Sequence, residues 1–592
     1  MSANAVPLER TSAHESAFLH LISSPERPSL GEVRAIFWTA GVLAACVQAW
    51  VFRYQVSADS ISYLDMSDGA LPGFSWYRLI SGVWSPLYPL LLGVARRVSG
   101  VSASQEIAFS HWLNVPIFVF AFGCFEVFLY QWLRLESHPD RIHSAHTIRL
   151  PNWSCASVAY ALFLWSSLSA ITLRFGRPDM LMSGFVYLAV GALLEMRARP
   201  ARWSAYLGLG TILGVGYLAK APMLPIGLLI LLVSLIVVEN WRPALKMAIA
   251  SGVITLLIGS AYFVPLSLAR GQFTLGKSGA YNYLVNVDRA GSAGGWYMEH
   301  PGHGAGAFAH PPTEVFSSPS VYVFGRSSLV THPLRFDPSE WMDGVLPRFA
   351  LKRQIGESLN GLYELSRVLI ELLYAALLIL AASFFARPGK TALARIRAAW
   401  PVWMVGIAGC AMYVGVHVES RYVGAFIALF CCGLLSALKD LPYRVKGPRL
   451  LAVTVVVVLL LLLPITKQPY RRYWTAGPDP DAEAAADLDR LGIRPGDRVG
   501  RISSMLTDLS IERIARVEVI GEVDYTQAKK FWSAPIKNQK QVLSLLASAG
   551  AKAVIATAPE LTDASRPGWR QLGSSRYWVW MPTTASRGSV PT

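Results

Sequence analysis

Leu450–Pro464 reads LLAVTVVVVLLLLLP, an apolar run without a charge. A helix that crosses a bilayer needs about 20 mostly apolar residues. This run, AIFWTAGVLAACVQAWVF at Ala35–Phe52 and MLPIGLLILLVSLIVV at Met223–Val238 approach or meet that length. The whole chain agrees with them. Of 592 residues, 53% are hydrophobic and 16% charged, more apolar material than a soluble core requires. Lipid must therefore solvate part of the molecule. The Ala35–Phe52 run follows a polar leader and lacks a small-residue cleavage site, so it reads as an uncleaved signal anchor.

Apolar runs of spanning length recur about eleven times along the chain, at 35–53, 107–133, 153–173, 179–196, 204–220, 222–238, 245–268, 360–386, 399–417, 421–438 and 449–465. With the N-terminal tail (1–34) in the cytoplasm, the loops Arg134–Arg149, Arg197–Arg202, Arg387–Arg397 and Lys439–Arg449 fall on the cytoplasmic side, and each is rich in Lys or Arg. The net charge of +16 is thus a topology signal. It forms no aromatic-interleaved basic stripe, so nucleic acid is excluded as a partner. Cys46, Cys124, Cys155, Cys410, Cys431 and Cys432 all lie in apolar segments, without metal-site or disulfide spacing.

This orientation puts three large pieces on the outer face: the loops 54–104 and 269–358, and everything beyond the membrane domain (35–468). In the first loop, Ser60–Gly69 and Pro86–Val98 read as juxtamembrane surface helices. Gly291–Pro338 reads as irregular. Beyond Pro478 the composition becomes that of a soluble domain, with strands expected at Arg498–Ile502, Arg516–Ile520 and Ala553–Ala556 and helices at Ala482–Leu491 and Ile536–Ala549. The expected architecture is a polytopic α-helical membrane protein with a small α/β domain at 478–582 and a disordered tail at 583–592.

Charged residues gather at the outer face. Asp59 opens the stretch DSISYLDMSD directly after the first span. A carboxylate there can act as general base toward an acceptor, or cap the helix that follows. Both readings stand. Asp65 and Asp68 read as the solvated face of that helix. Lys220, in GYLAKAPM between two spans, reads as a phosphate ligand or as a lysine snorkelling to water. Arg421, in HVESRYV, begins the tenth span, and Arg174 and Arg177 occupy the outer turn before Asp179. Guanidinium forks suit a phosphate; pairing of Arg421 with Glu419 or Asp59 is the structural alternative. Glu299, His300, His303 and His310 match no tight metal motif. Trp296, Tyr297, Tyr322, Phe324 and Trp341 suit either sugar stacking or an interfacial belt.

Taken in order, the acidic residue after the first span, WSPLYPLLL at Trp84–Leu92, RPD at Arg177–Asp179, LAKAP at Leu218–Pro222 and RY at Arg421–Tyr422 resemble the C-type (GT-C) glycosyltransferases, in the branch of protein O-mannosyltransferases and lipid A aminoarabinose transferases. The resemblance covers most of the membrane region. It implies a polyprenyl-phosphate sugar donor, inverting transfer to a glycan, lipid or protein acceptor at the extracytoplasmic face, and a bacterial inner membrane as location. By the same resemblance Asp59 is the catalytic carboxylate, Lys220 and Arg421 hold the carrier phosphate, and Arg177, Tyr63 and Tyr422 complete the substrate-binding set. The first loop carries Asp-Ser in place of the paired acidic residues of many relatives, which leaves a divalent metal cofactor open. Two other classes compete: a lipid flippase or transporter, and a non-catalytic component of polysaccharide assembly or export. The first should place its charges at the bilayer midplane, and no internal repeat supports it. The second has no need for Asp59, Lys220 and Arg421 to converge.

Overall fold

The computed structural model describes residues 28–71, 73–136, 147–238, 241–291, 300–325, 330–386, 395–442, 447–474, 477, 479–505, 509–557 and 568–582. Expectations for 1–27, for 583–592, for Trp296, Tyr297 and Glu299, and for parts of three basic loops (137–146, 387–394, 443–446) lie outside these residues.

Among the described residues, six helices are long and apolar enough to cross a membrane, and four shorter apolar helices join them: Trp203–Ala219, Met223–Ile236, Trp400–Val414 and Ser420–Leu435. The first helix, Leu30–Val51, starts at a capping box in which Ser29 accepts from the Glu32 N–H and Glu32 from the Ser29 N–H. Burial separates centre from rim. In the most apolar window of Asn152–Ile171, 94% of residues are buried, against 22% in Leu30–Val51. The first helix therefore turns Ile36, Leu43 and Val47 outward, and the Asn152–Ile171 helix forms the axis of the bundle. Two basic loops assigned to one face do meet: Thr147–Arg149 pairs antiparallel with Asp440–Pro442.

The eighth expected span, 360–386, is two helices, Leu351–Ile370 and Leu373–Ala386. Leu351, Ile355, Leu359 and Leu362 form an exposed stripe along the first. Such a stripe at helical spacing begins a turn or more before the continuous apolar run that the sequence suggests.

The helix expected at Ser60–Gly69 runs from Ala58 to Ser67 and is no surface helix. Ile61 and Leu64 are buried in the protein, and every residue from Ala58 to Ser67 except Asp59 is buried. The helix Leu87–Ser99 presses against its end at Gly93, where a Cβ would sit 2.3 Å from the Ser67 carbonyl oxygen.

The soluble part is built on a seven-stranded sheet in the order Trp569–Gln571, Tyr577–Trp580, Ala553–Thr557, Arg498–Ile502, Glu518–Val523, Ser320–Val323, Thr313–Ser317. The three central strands are parallel. Both strands at one edge belong to the 269–358 loop, inside the stretch whose sequence reads as irregular. Ser320–Val323 pairs antiparallel with Glu518–Val523, Tyr322 facing Glu522. Strands this short carry little periodicity, and their partner lies far along the chain. Tyr322, Phe324 and Trp341 are core residues here and present no stacking surface.

Candidate active site

Asp59 does not cap its helix. Ser57 does: its hydroxyl accepts from the Ser60 N–H at 3.2 Å. Asp59 is thereby left free one position inside the first turn, and its carboxylate meets cations from two other segments. Arg421 Nη1 lies 3.0 Å from Asp59 Oδ2, and Arg177 Nε lies 3.5 Å from the same oxygen. Arg177 also donates to Ser57 Oγ at 3.1 Å.

The placement of Arg421 begins in the bundle axis. Asn152–Trp165 continues into a π-helical segment, Ser166–Ile171, which ends at Thr172 with φ of 64°. Such a segment re-aims the chain and is common near functional sites. The Ser420–Leu435 helix lies directly on it: a Cβ at Gly424 would come 2.9 Å from the Ala170 Cβ, and Ser420 Oγ donates to the Ala170 carbonyl at 3.1 Å. This contact holds the first turn of the helix, and with it Arg421.

Lys220 ends the Trp203–Ala219 helix with an extended backbone, and Pro222 starts the next helix. Its ammonium does not snorkel to water. It donates to Asp179 Oδ1, at the N-terminus of the Asp179–Ala198 helix, where the helix dipole favours a carboxylate. The other Asp179 oxygen lies 3.6 Å from Arg421 Nη1. Arg421 Nε in turn lies 2.6 Å from Glu419 Oε2, so Arg421 pairs with both Asp59 and Glu419.

Tyr422 forms a wall. Lys220 Nζ sits 4.3 Å from its ring centroid, Arg421 Nη2 is 2.9 Å from its hydroxyl, and Tyr413 stacks on it at 5.1 Å. Tyr63 lies one turn beyond Asp59, packed edge-on against Trp84 and Tyr88. Burial, reinforced by the Asp59 charge, holds its phenol well above the ordinary value. Burial pushes the Asp59 carboxyl up, but the Arg177 and Arg421 charges outweigh it and hold it below the usual carboxylate range.

Side-chain exposure rises from 4% at Asp179 through 12% at Arg421 and 20% at Asp59 to 38% at Glu419. Asp179 is thus the most buried member of the cluster and Glu419 the most exposed, with Lys220 at 16% beside Asp179. Arg174 stays apart, donating to Tyr473 Oη at 3.0 Å. A cavity of about 620 Å³ lined by Pro200, Trp203, Arg242 and Lys246 lies at the start of the helix that Lys220 ends, and takes no part.

Asp59, Arg177, Lys220, Arg421 and Tyr422 thus converge as the sequence motifs suggest, with Tyr63 behind them. Asp179 and Glu419 are the partners that sequence reasoning undervalued. The signal was available for Asp179, since a lysine at that depth requires a counter-charge. The three carboxylates Asp59, Asp179 and Glu419 are each paired with Arg177, Lys220 or Arg421. Among the described residues, His300, His303 and His310 included, no group of three His, Cys, Asp or Glu side chains is placed to hold a metal ion.

Fold and site together define a polytopic membrane protein with a compensated ionic cluster at one end of its helix bundle. Along most of its length the chain is similar to ArnT from Cupriavidus metallidurans bound to undecaprenyl phosphate (14% identity, TM-score 0.40, 94% of this chain and 99% of that one). It is also similar to the archaeal oligosaccharyltransferase AglB from Archaeoglobus fulgidus in complex with an inhibitory peptide and a dolichol-phosphate (13% identity, TM-score 0.44, 88% and 69%). No protein-family model and no curated protein matches the chain.

Proposed function

We propose that this protein is an integral membrane glycosyltransferase that moves a sugar from a polyprenyl-phosphate carrier to a glycan, lipid or protein acceptor at the extracytoplasmic face, with inversion. One observation carries the reading. Three carboxylates and three cations, Asp59, Asp179 and Glu419 with Arg177, Lys220 and Arg421, drawn from four segments of the chain, meet in one partly exposed cluster where the helices end.

Each group has a role in that reaction. The carrier phosphate enters from the Glu419 side and competes for Arg421 and Lys220, drawing them off their carboxylates. Asp59, ionised at neutral pH, then accepts the acceptor's proton as its oxygen or nitrogen attacks the anomeric carbon. The carbon–phosphate-oxygen bond breaks on the opposite face, and the departing phosphate carries its charge onto the ammonium and guanidinium. Arg177 holds Asp59 in place from Ser57. Catalysis is positioning and charge stabilisation in a site that excludes most water. The basic loops favour an orientation with the cluster outside and the N-terminus in the cytoplasm of a bacterial inner membrane.

The test is a panel of radiolabelled undecaprenyl-phosphate sugars offered to the full-length protein in native membranes. The proposal expects sugar to leave the carrier and undecaprenyl phosphate to accumulate. Carrier that crosses the bilayer with its sugar still attached would instead mark a flippase.

A further inference from the structure

The Asp59 helix is held at its other end by the C-terminal domain. Asp65 and Asp68, expected on a solvated face, close a buried ionic network with Glu106 and three arginines. Arg513, in the helix Ser510–Ile514 and only 2% exposed, places Nη1 2.6 Å from Asp65 Oδ1 and 2.8 Å from Asp68 Oδ2. Its Nε lies 2.7 Å from Glu106 Oε1. Arg516 reaches Asp68 and Glu106 at 2.8 and 2.7 Å, and Arg96 reaches them at 2.9 and 2.5 Å. Three guanidinium groups thus face three carboxylates.

A second tie runs through the outer loop. Thr331 donates its N–H and its hydroxyl to the two Asp65 oxygens at 3.1 and 2.7 Å, while its carbonyl accepts from Val519 N–H in the central sheet. Ser62 Oγ donates to the Arg335 carbonyl at 2.9 Å.

We propose that Arg513 is a positioning residue: from the C-terminal domain it fixes the helix whose first turn carries Asp59. The C-terminal α/β domain is thereby made part of the reaction geometry. Asp59 and Asp65 share a single rigid helix of ten residues, so a shift at the Arg513 end is carried to the carboxylate. The inference rests on the transferase reading only for its kinetic arm. An ångström of misplacement costs about 100-fold in rate, with no loss of the groups that bind the carrier.

Full-length Arg513→Met and Arg513→Lys, in nanodiscs, test it by hydrogen exchange and kinetics. The expected result for Arg513→Met is faster exchange over Ser57–Ser67 with the Asn152–Ile171 helix unchanged, kcat for transfer lower by about 100-fold and donor KM no higher than that of the wild type. The acid limb of its kcat/KM profile moves up, because Asp59 leaves Arg421 and Arg177; a merely structural role would not move that limb. Arg513→Lys recovers part of the rate. If Arg513→Met does not fold, Arg516→Met, at a quarter-exposed side chain, shows the same pattern in milder form. Monodisperse variants with wild-type exchange over Ser57–Ser67 and wild-type kcat would overturn the inference. A wild-type protein that uses no donor would overturn the transferase reading alone, since the exchange arm needs no substrate.

Discussion

Arg421 Nη1 and Asp59 Oδ2 lie 3.0 Å apart although their residues are 362 positions apart in the chain. The pair joins the first outer helix to the Ser420–Leu435 helix and explains how a carboxylate with ordinary chemistry stays ionised while mostly buried. In the proposed reaction the carrier phosphate has to take Arg421 from a partner it already holds.

The pH dependence follows from this pair. Because the Asp59 carboxyl is held below the usual carboxylate range, it is charged throughout about pH 5–8, and kcat/KM contributes no acid limb from Asp59 in that range. Arg177→Gln removes the larger of the two lowering charges, so the limb moves upward. A pH–rate profile of both proteins measures it.

Lys220 and Asp179 form a largely buried pair, and removing Lys220 leaves the Asp179 carboxylate with Arg421 alone, at 3.6 Å. Lys220→Met alone is expected to destabilise by about 3–5 kcal/mol, read as a lower Tm. The double variant Lys220→Met with Asp179→Leu regains much of that stability but not donor affinity. Thermal unfolding together with binding of undecaprenyl phosphate separates the two effects.

Gly424→Val forces atoms into the π-helical segment at Ala170 and Ser166, where a Cβ alone already meets contacts of 2.9 and 3.2 Å. Overpacking of this kind costs about 1–3 kcal/mol. The first turn of the helix moves with Arg421, so donor KM rises along with the fall in Tm. Loss of stability at unchanged KM would disconnect Gly424 from the site.

His332 gives the junction between the outer loop and the C-terminal sheet a dependence on acid. Burial pushes its imidazole down to about 4 despite Glu522 at 3.1 Å, and Arg501 at 3.0 Å already neutralises Glu522. Between about 4 and the unfolded value near 6.5 the unfolded chain binds the proton and the folded chain does not, so stability falls as pH drops through that window. His332→Gln is expected to flatten the Tm of the protein between about pH 7 and 5.

Much of the membrane region is legible in sequence because apolar length and basic loops are local properties. They place Asp59, Lys220 and Arg421 at one face without any knowledge of contacts. What is not legible depends on partners distant in the chain. Asp179 looks like the start of a helix until Lys220 is found beside it. The Thr313–Ser317 and Ser320–Val323 strands are too short to show a period, and only the Glu518–Val523 strand gives them a place. Asp65 and Asp68 read as solvated charges because their partners, Arg513 and Arg516, lie 445 or more positions away in the chain.

The most direct measurement is single-turnover transfer from an undecaprenyl-phosphate sugar by wild-type protein and by Asp59→Asn, at matched expression and with carrier binding measured alongside. Asp59→Asn is expected still to bind the carrier through Lys220 and Arg421 but to transfer at least about 100-fold more slowly. Robust transfer undiminished in Asp59→Asn would contradict the assignment of Asp59 as the base.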